Sequence, residues 1–319
     1  MKILSFLKNW SLAAAVFFGA LIYFLFSRIP FLVPVGDAVG PHAMSCVPVV
    51  LFALLYVTFC KIDISEMRPQ KWHFILQAIR TAISGFLVFL ICLTTDPTTK
   101  LILEGVFICF ICPTAAATVV VTEKLGGSIG SLTTFTIIAN LVTIVIIPLF
   151  FPMVEKESSI TFLKAVSMVF RNVTLVLVVP LFLALLSRKL IPKFVEWLKQ
   201  FKNLGFYFWC FNLTIVSGQT LRNILNANVS GWTLALLLIL PLFVCLAQFA
   251  IGKWVGGFYG QRISAGQALG QKNTVVGIWL TITFLNPLAA VAPGAYVLWQ
   301  NLLNSWQIRC KQKYGYLKW

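Results

Sequence analysis

Gly270-Gln271-Lys272-Asn273-Thr274 lies inside a run, 263–284, that is otherwise apolar and long enough to cross a bilayer. An ionisable side chain near the centre of such a run costs about 2.5–3.5 kcal/mol on insertion scales, so its default reading is functional. A second run, 101–122, is interrupted at Cys112-Pro113-Thr114. Proline withdraws a backbone donor and clashes with the preceding turn, and the small and hydroxyl residues at 114–118 leave room for other groups. Two apolar segments broken at matching depth are the best sequence pointer to a transport site. Pro113 and Gly270 therefore mark two helix breaks, and the other spans form the frame around them.

The frame is set by composition. Of the 319 residues, 59% are hydrophobic and 11% charged, with a mean hydropathy of +0.91. Soluble domains carry about a quarter charged residues. Ten apolar stretches have about the 20-residue length that a hydrocarbon core requires. They fall near 9–27, 42–60, 72–93, 100–122, 128–150, 163–187, 203–221, 232–253, 264–285 and 289–307. This reads as an all-α polytopic membrane protein with the lipid bilayer as its surroundings. The net charge of +16 does not indicate a nucleic-acid partner, because the 25 lysines and arginines are spread over short connections.

Those basic residues orient the chain. With the amino terminus inside, 17 fall on inner connections and five (Arg28, Lys100, Lys156, Lys164 and Arg222) on outer ones; Arg80, Arg171 and Lys272 lie in spans. The asymmetry predicts a multi-pass protein of the cell inner (plasma) membrane with both termini cytoplasmic. Lys2 and Lys8 ahead of an apolar run resemble a signal sequence, but 10–26 exceeds a typical signal core and reads as the first span.

A repeat appears in the hydropathy. Trp72 and Trp232 each open a third span and stand 160 residues apart, and the breaks at Pro113 and Lys272 stand 159 apart. Five spans are an odd number, so units 1–157 and 158–319 enter the membrane from opposite sides as inverted repeats.

At the breaks the polar candidates are Thr114, Thr118 and Thr122 in the first half. In the second they are Gln267, Gln271, Lys272, Asn273 and Thr274, with Thr133, Thr134, Thr136 and Asn140 positioned to face them. Each threonine has two open readings, a site ligand or ordinary small-residue packing between membrane helices. Arg80 either snorkels to the inner face or joins the site; Arg171 reads as interfacial. Glu123-Lys124 followed by Gly126-Gly127 reads as a solvated turn. The eight cysteines show no metal or disulfide spacing and read as small core residues, Cys109 and Cys112 included. His42 and His73 sit near span ends without a nucleophile partner, so no enzyme is expected.

Three stretches resemble the bile acid:sodium symporter family. They are Cys112-Pro113-Thr114-Ala115-Ala116-Ala117-Thr118 followed by Leu125-Gly126-Gly127-Ser128; Gly270 to Thr274; and Val291-Ala292-Pro293-Gly294-Ala295-Tyr296-Val297-Leu298-Trp299-Gln300-Asn301. The resemblance implies ten transmembrane helices with discontinuous, crossed helices 4 and 9. It also implies a core domain from spans 3–5 and 8–10, a panel domain from spans 1, 2, 6 and 7, and an organic anion, bile acid-like or a smaller carboxylate, bound between them.

The sequence departs from that family at the ion. Sodium-coupled members place a Glu at Ala268, a Gln at Lys272, an Asn at Val119, a Ser near Leu132 and a Gln at Arg80. Only Thr118 and Thr136 keep ligand-like oxygens. A hard cation needs an oxygen cage, so no cofactor is expected and sodium, though possible, lacks its usual ligands. The expected site is Lys272, Asn273, Thr274, Gln271, Thr118, Thr114, Thr136 and Arg80, with Lys272 replacing the bound cation. A lysine in a desolvated site can also exchange a proton during transport. The alternatives are a conventional sodium-coupled symporter, an efflux carrier of the same superfamily using Cys112, and a membrane sensor or scaffold.

Overall fold

The computed structural model describes residues 10–61, 64–115, 117–155, 167, 171, 174–201, 203–227 and 229–317. Among these residues the secondary structure is helical, with no strand. The helices are α1 (Ser11–Arg28), α2 (Val33–Phe59), α3 (Lys71–Leu93), α4 (Pro97–Ile111), α5 (Thr118–Leu125), α6 (Ile129–Val154) and α7 (Val179–Leu190). They continue with α8 (Pro192–Lys199), α9 (Leu204–Leu225), α10 (Gly231–Gly257), α11 (Arg262–Gly270), α12 (Thr274–Phe284) and α13 (Val291–Tyr314). By length and composition, α1, α2, α3, α6 and α10 are each able to cross a membrane.

Helix starts follow local chemistry. Asp96, Ser128, Ser230 and Asn273 each accept an amide N–H from the first turn of α4, α6, α10 and α12, satisfying donors that have no partner within the helix. The expected second span begins too late. Helix α2 starts at Val33, nine residues before the predicted 42, with Pro34 at its first turn and Pro41 and Pro48 inside it. Proline suits a first turn, and in membranes an interior proline is tolerated when neighbours re-satisfy the freed carbonyl. The short helix α8 was not anticipated. Apart from Ser167 and Arg171, the expected sixth span is described from Thr174 onward, in a π-helical turn (Thr174–Val178) leading into α7. The expected inter-repeat boundary at 155–159, together with Lys2, Lys8, Lys156 and Lys164, lies outside the described residues except for Glu155.

Both interruptions are where the sequence placed them. Helix α4 ends at Ile111 and α5 begins at Thr118; α11 ends at Gly270 and α12 begins at Thr274. The apolar interior divides into two clusters. One contains Leu76, Val119, Leu132, Ala139, Ala268 and Leu269, the other Leu87, Ile108, Ile147, Phe249 and Leu280. Each broken pair has one half in each cluster. Between the clusters α3 buries Gln77, Arg80 and Ser84, and α6 buries Asn140 and Thr143. A polar layer thus separates two apolar ones, and the breaks lie in it.

Candidate functional site

The two breaks are hydrogen-bonded to each other. Thr114 and Lys272 form an isolated antiparallel β-bridge. Asn273 donates its backbone N–H to the Pro113 carbonyl at 2.9 Å, and Ala115 donates to the Gln271 carbonyl at 3.1 Å. Chain segments 158 residues apart therefore repair part of each other's lost helical ladder, which unpaired backbone groups in a low-dielectric interior require.

Side chains satisfy the carbonyls that remain. At the carboxyl end of α4, Gln248 donates to Cys109 O at 3.1 Å, Lys272 Nζ to Phe110 O at 3.0 Å, and Arg80 Nη1 to Cys112 O at 3.4 Å. At the carboxyl end of α11, Thr114 Oγ1 donates to Ala268 O at 2.6 Å and the Tyr296 hydroxyl to Gly270 O at 2.8 Å. Gln300 holds the backbone of Lys272 from both sides, accepting its N–H at 2.8 Å and donating to its carbonyl at 3.3 Å. A helix carboxyl terminus carries the negative end of the macrodipole, so a cation placed there is stabilised. Two basic side chains, Lys272 and Arg80, converge on the end of α4.

Both cations are enclosed: Lys272 and Arg80 are each 1% exposed. The Arg80 guanidinium also reaches α6, with Nη2 donating to Ala139 O at 3.1 Å and to Thr143 Oγ1 at 3.0 Å. Arg80 is therefore inside the site region and does not snorkel. Arg171, by contrast, is exposed.

The remaining expected residues divide. Thr274 is buried beside the bridge, and the Asn273 side chain caps α12 through Val276 N at 3.3 Å. Gln271 is fully buried, and neither atom of its amide has a hydrogen-bond partner. Thr118 is also fully buried with an unpartnered hydroxyl. Thr136 is turned back into α6, donating to Leu132 O at 2.9 Å, and Thr133, Thr134 and Asn140 likewise bond within that helix. Ala268, Val119 and Leu132, where sodium-coupled relatives carry oxygens, are buried in one apolar cluster.

Sequence reasoning missed Gln248, Tyr296 and Gln300 as site residues. Gln248 had a signal, being an amide in the middle of the apolar run of α10; Tyr296 and Gln300 stand in the longest family-like stretch. A strip of buried amides leads away from the break. Gln267 donates to Asn304 Oδ1 at 3.0 Å and Gln307 Oε1 at 3.1 Å, while Gln267 Oε1, Asn304 Nδ2 and Gln307 Nε2 have no protein partner.

A sequence profile of the SBF-like CPA transporter family matches residues 2–302. The chain belongs to that family. The match spans both breaks and the residues that cap them, and the family is one of membrane transporters rather than enzymes. Together with the apolar helices it makes this SBF-like chain a multi-pass membrane protein. Among curated proteins no relative matches.

Proposed function

We propose that this SBF-like protein is a secondary transporter of an organic anion, bile acid-like or a smaller carboxylate, in which Lys272 takes the place of a dissolved sodium ion. The observation that carries the reading is the buried Lys272 ammonium on Phe110 O, with the Arg80 guanidinium two residues further on at Cys112 O. A bound cation in such a site neutralises helix-end carbonyls and draws the two halves together, and an ammonium on a tether does both without being imported. The apolar surroundings of Ala268, Val119 and Leu132 supply no oxygen cage for a hard cation.

In this reading the broken pairs α4–α5 and α11–α12 each complete one crossing. The chain then has ten crossings in two inverted units, 1–157 and 158–319, with the broken helices crossed at their gaps and both termini cytoplasmic. The packing supports a division into panel and core. Helix α9 packs on α1 and α2, and α2 on α7, whereas α10 packs on α4, α11 and α13, and α3 on α4 and α6. Alternating access is a movement of one group against the other, with the anion bound beside the break and its charge balanced by Lys272 and Arg80. Lys272 can also release and take up a proton during the cycle.

A conventional sodium symporter is the second reading, favoured by the buried oxygens of Thr118, Gln271 and Gln77 that lack partners. One experiment separates the two. Purified protein is screened by thermal unfolding against a panel of organic anions in sodium chloride and in choline chloride; a ligand that prefers the folded state raises the midpoint. Equal stabilisation in both salts is expected. Stabilisation only in sodium overturns the fixed-cation reading.

A further inference from the structure

Helices α1, α2 and α9 meet around a groove of about 420 Å³, within the roughly 300–1,000 Å³ of ligand sites. Each helix lends it one stripe, with Tyr23 and Phe26 on α1, Asp37 and Gly40 on α2, and Gln219 and Arg222 on α9. On α2 the lining runs from Val33 to Met44, about 16 Å of axis at about 1.5 Å per residue. That is half of the roughly 30 Å hydrocarbon core, the depth of one leaflet.

The groove faces away from the rest of the bundle. Helix α9 packs on α13 through Thr220, whose Cγ2 lies 3.4 Å from where a Cβ of Gly294 would stand. Gly218 and Arg222 are two residues to either side of Thr220, about 200° round the helix. Among the described residues none of the lining belongs to a broken helix or to α13. Ile22 and Val39, both in the lining, are exposed, as befits a surface that meets lipid. Two glycines shape it. A Cβ at Gly218 would come within 2.9 Å of Gly19 O, so α1 and α9 touch backbone to backbone; a Cβ at Gly40 would meet nothing within 4 Å, which leaves the α2 wall bare.

A pair of opposite charges sets the groove apart from ordinary lipid-facing surface. Asp37 stands in the second turn of α2 and Arg222 in the last turn of α9. Both line the groove, and among the described residues neither takes part in an ion pair. A carboxylate and a guanidinium that share a cavity without neutralising each other are complementary to a ligand that carries both charges. A guanidinium fork matches phosphate oxygens, and a carboxylate accepts hydrogen bonds from an ammonium. The Gln219 amide donates to Asn223 Oδ1 at 3.0 Å, which leaves its own carbonyl oxygen as a second acceptor. Choline offers these acceptors no N–H, and a purely anionic headgroup offers them no cation. A primary ammonium beside a phosphate satisfies both ends.

We propose that this groove holds a phospholipid whose headgroup carries a primary ammonium, as phosphatidylethanolamine does, with the ammonium on Asp37, the phosphate on Arg222 and an acyl chain along Gly40 and Phe26. The site is independent of the reading given to Lys272.

The test titrates the full chain, freed of lipid in detergent, with dioctanoyl phosphatidylethanolamine, phosphatidylcholine or phosphatidylglycerol and follows thermal unfolding. The expected result is saturable stabilisation by the ethanolamine lipid at an apparent affinity about tenfold tighter than for the other two. Asp37→Asn should weaken the ethanolamine lipid by about tenfold and leave the choline lipid unchanged, whereas Arg222→Gln should weaken both by about tenfold. Arg28→Gln removes a cation from the last turn of α1, outside the groove, and should change nothing. Gly40→Leu has room for its Cβ and fills the trench, so it should abolish the response while the lipid-free midpoint holds. Equal stabilisation by the three headgroups overturns the proposal, as does an ethanolamine response that survives Asp37→Asn and Arg222→Gln, or no stabilisation at all. A dimer in lipid-free detergent that Gly40→Leu splits would make the groove a contact between copies of this chain and overturn it as well.

Discussion

The Lys272 ammonium lies 3.0 Å from the Phe110 carbonyl, a contact that spans 162 residues and joins the two broken helices at their gaps. Removing the charge while keeping the stem, as in Lys272→Met, strands that carbonyl in a buried layer. Loss of about 1–3 kcal/mol is expected from the unsatisfied acceptor, read as a lowered midpoint in thermal unfolding. Lys272→Gln restores a donor together with the residue that sodium-coupled relatives carry, so it should be milder. Combined with Ala268→Glu it should make thermal stability depend on sodium, whereas that of the unaltered protein should be the same with and without sodium.

Arg80 ties α3 to the end of α4 and to the middle of α6 through three acceptors. An ammonium is a point donor and cannot span them as a guanidinium fork does. Arg80→Lys should therefore destabilise by about 1–3 kcal/mol, nearly as much as Arg80→Met, in denaturation of the detergent-solubilised protein. Full stability in Arg80→Lys would mean that charge alone matters there.

Gln271 offers a separation of stability from function. Both polar atoms of its buried amide lack partners, and replacing an unsatisfied polar group with an apolar one of similar size can be neutral or stabilising. Gln271→Leu should keep or raise the unfolding midpoint while abolishing transport of whichever anion the screen identifies. A variant that loses stability and keeps transport would make Gln271 a structural residue.

Gly270 is fixed by contact. A Cβ at that position would come within 2.4 Å of the Phe249 ring, so Gly270→Ala should cost about 1–3 kcal/mol through overpacking. Phe249→Leu in the same chain should recover part of that loss, and a double-mutant cycle measures the coupling. Cys112 is held in the same way: its sulfur lies 2.6 Å from where a Cβ of Gly277 would be. Cys112→Ser should leave transport within about twofold if the thiol only packs there, about 0.4 kcal/mol at the ambient scale of a tenfold change per 1.4 kcal/mol. Loss of transport would instead favour the efflux reading.

The breaks were legible because Pro113 and Lys272 each contradict an otherwise uniform apolar run. Lys272 could be placed inside the protein for the same reason, since a lysine at mid-span has few other places to go. Arg80 could not, because nine residues into a helix both snorkelling and burial are within reach of its side chain; only the positions of Cys112, Ala139 and Thr143 decide it. The capping roles of Gln248, Tyr296 and Gln300 depend on which carbonyls lie opposite, a three-dimensional relation that leaves no local pattern. The early start of α2 was obscured by Pro34, Pro41 and two glycines, which outside a membrane signal a loop. The threonines of α6 look like ligands by composition, yet their hydroxyls bond back to the preceding turn.

The most direct test of the fixed-cation account is uptake into proteoliposomes of an anion found in the thermal screen, with external sodium replaced by choline and the pH varied. The account predicts equal initial rates in the two salts at every pH. A rate that collapses in choline and recovers steeply with added sodium would contradict it.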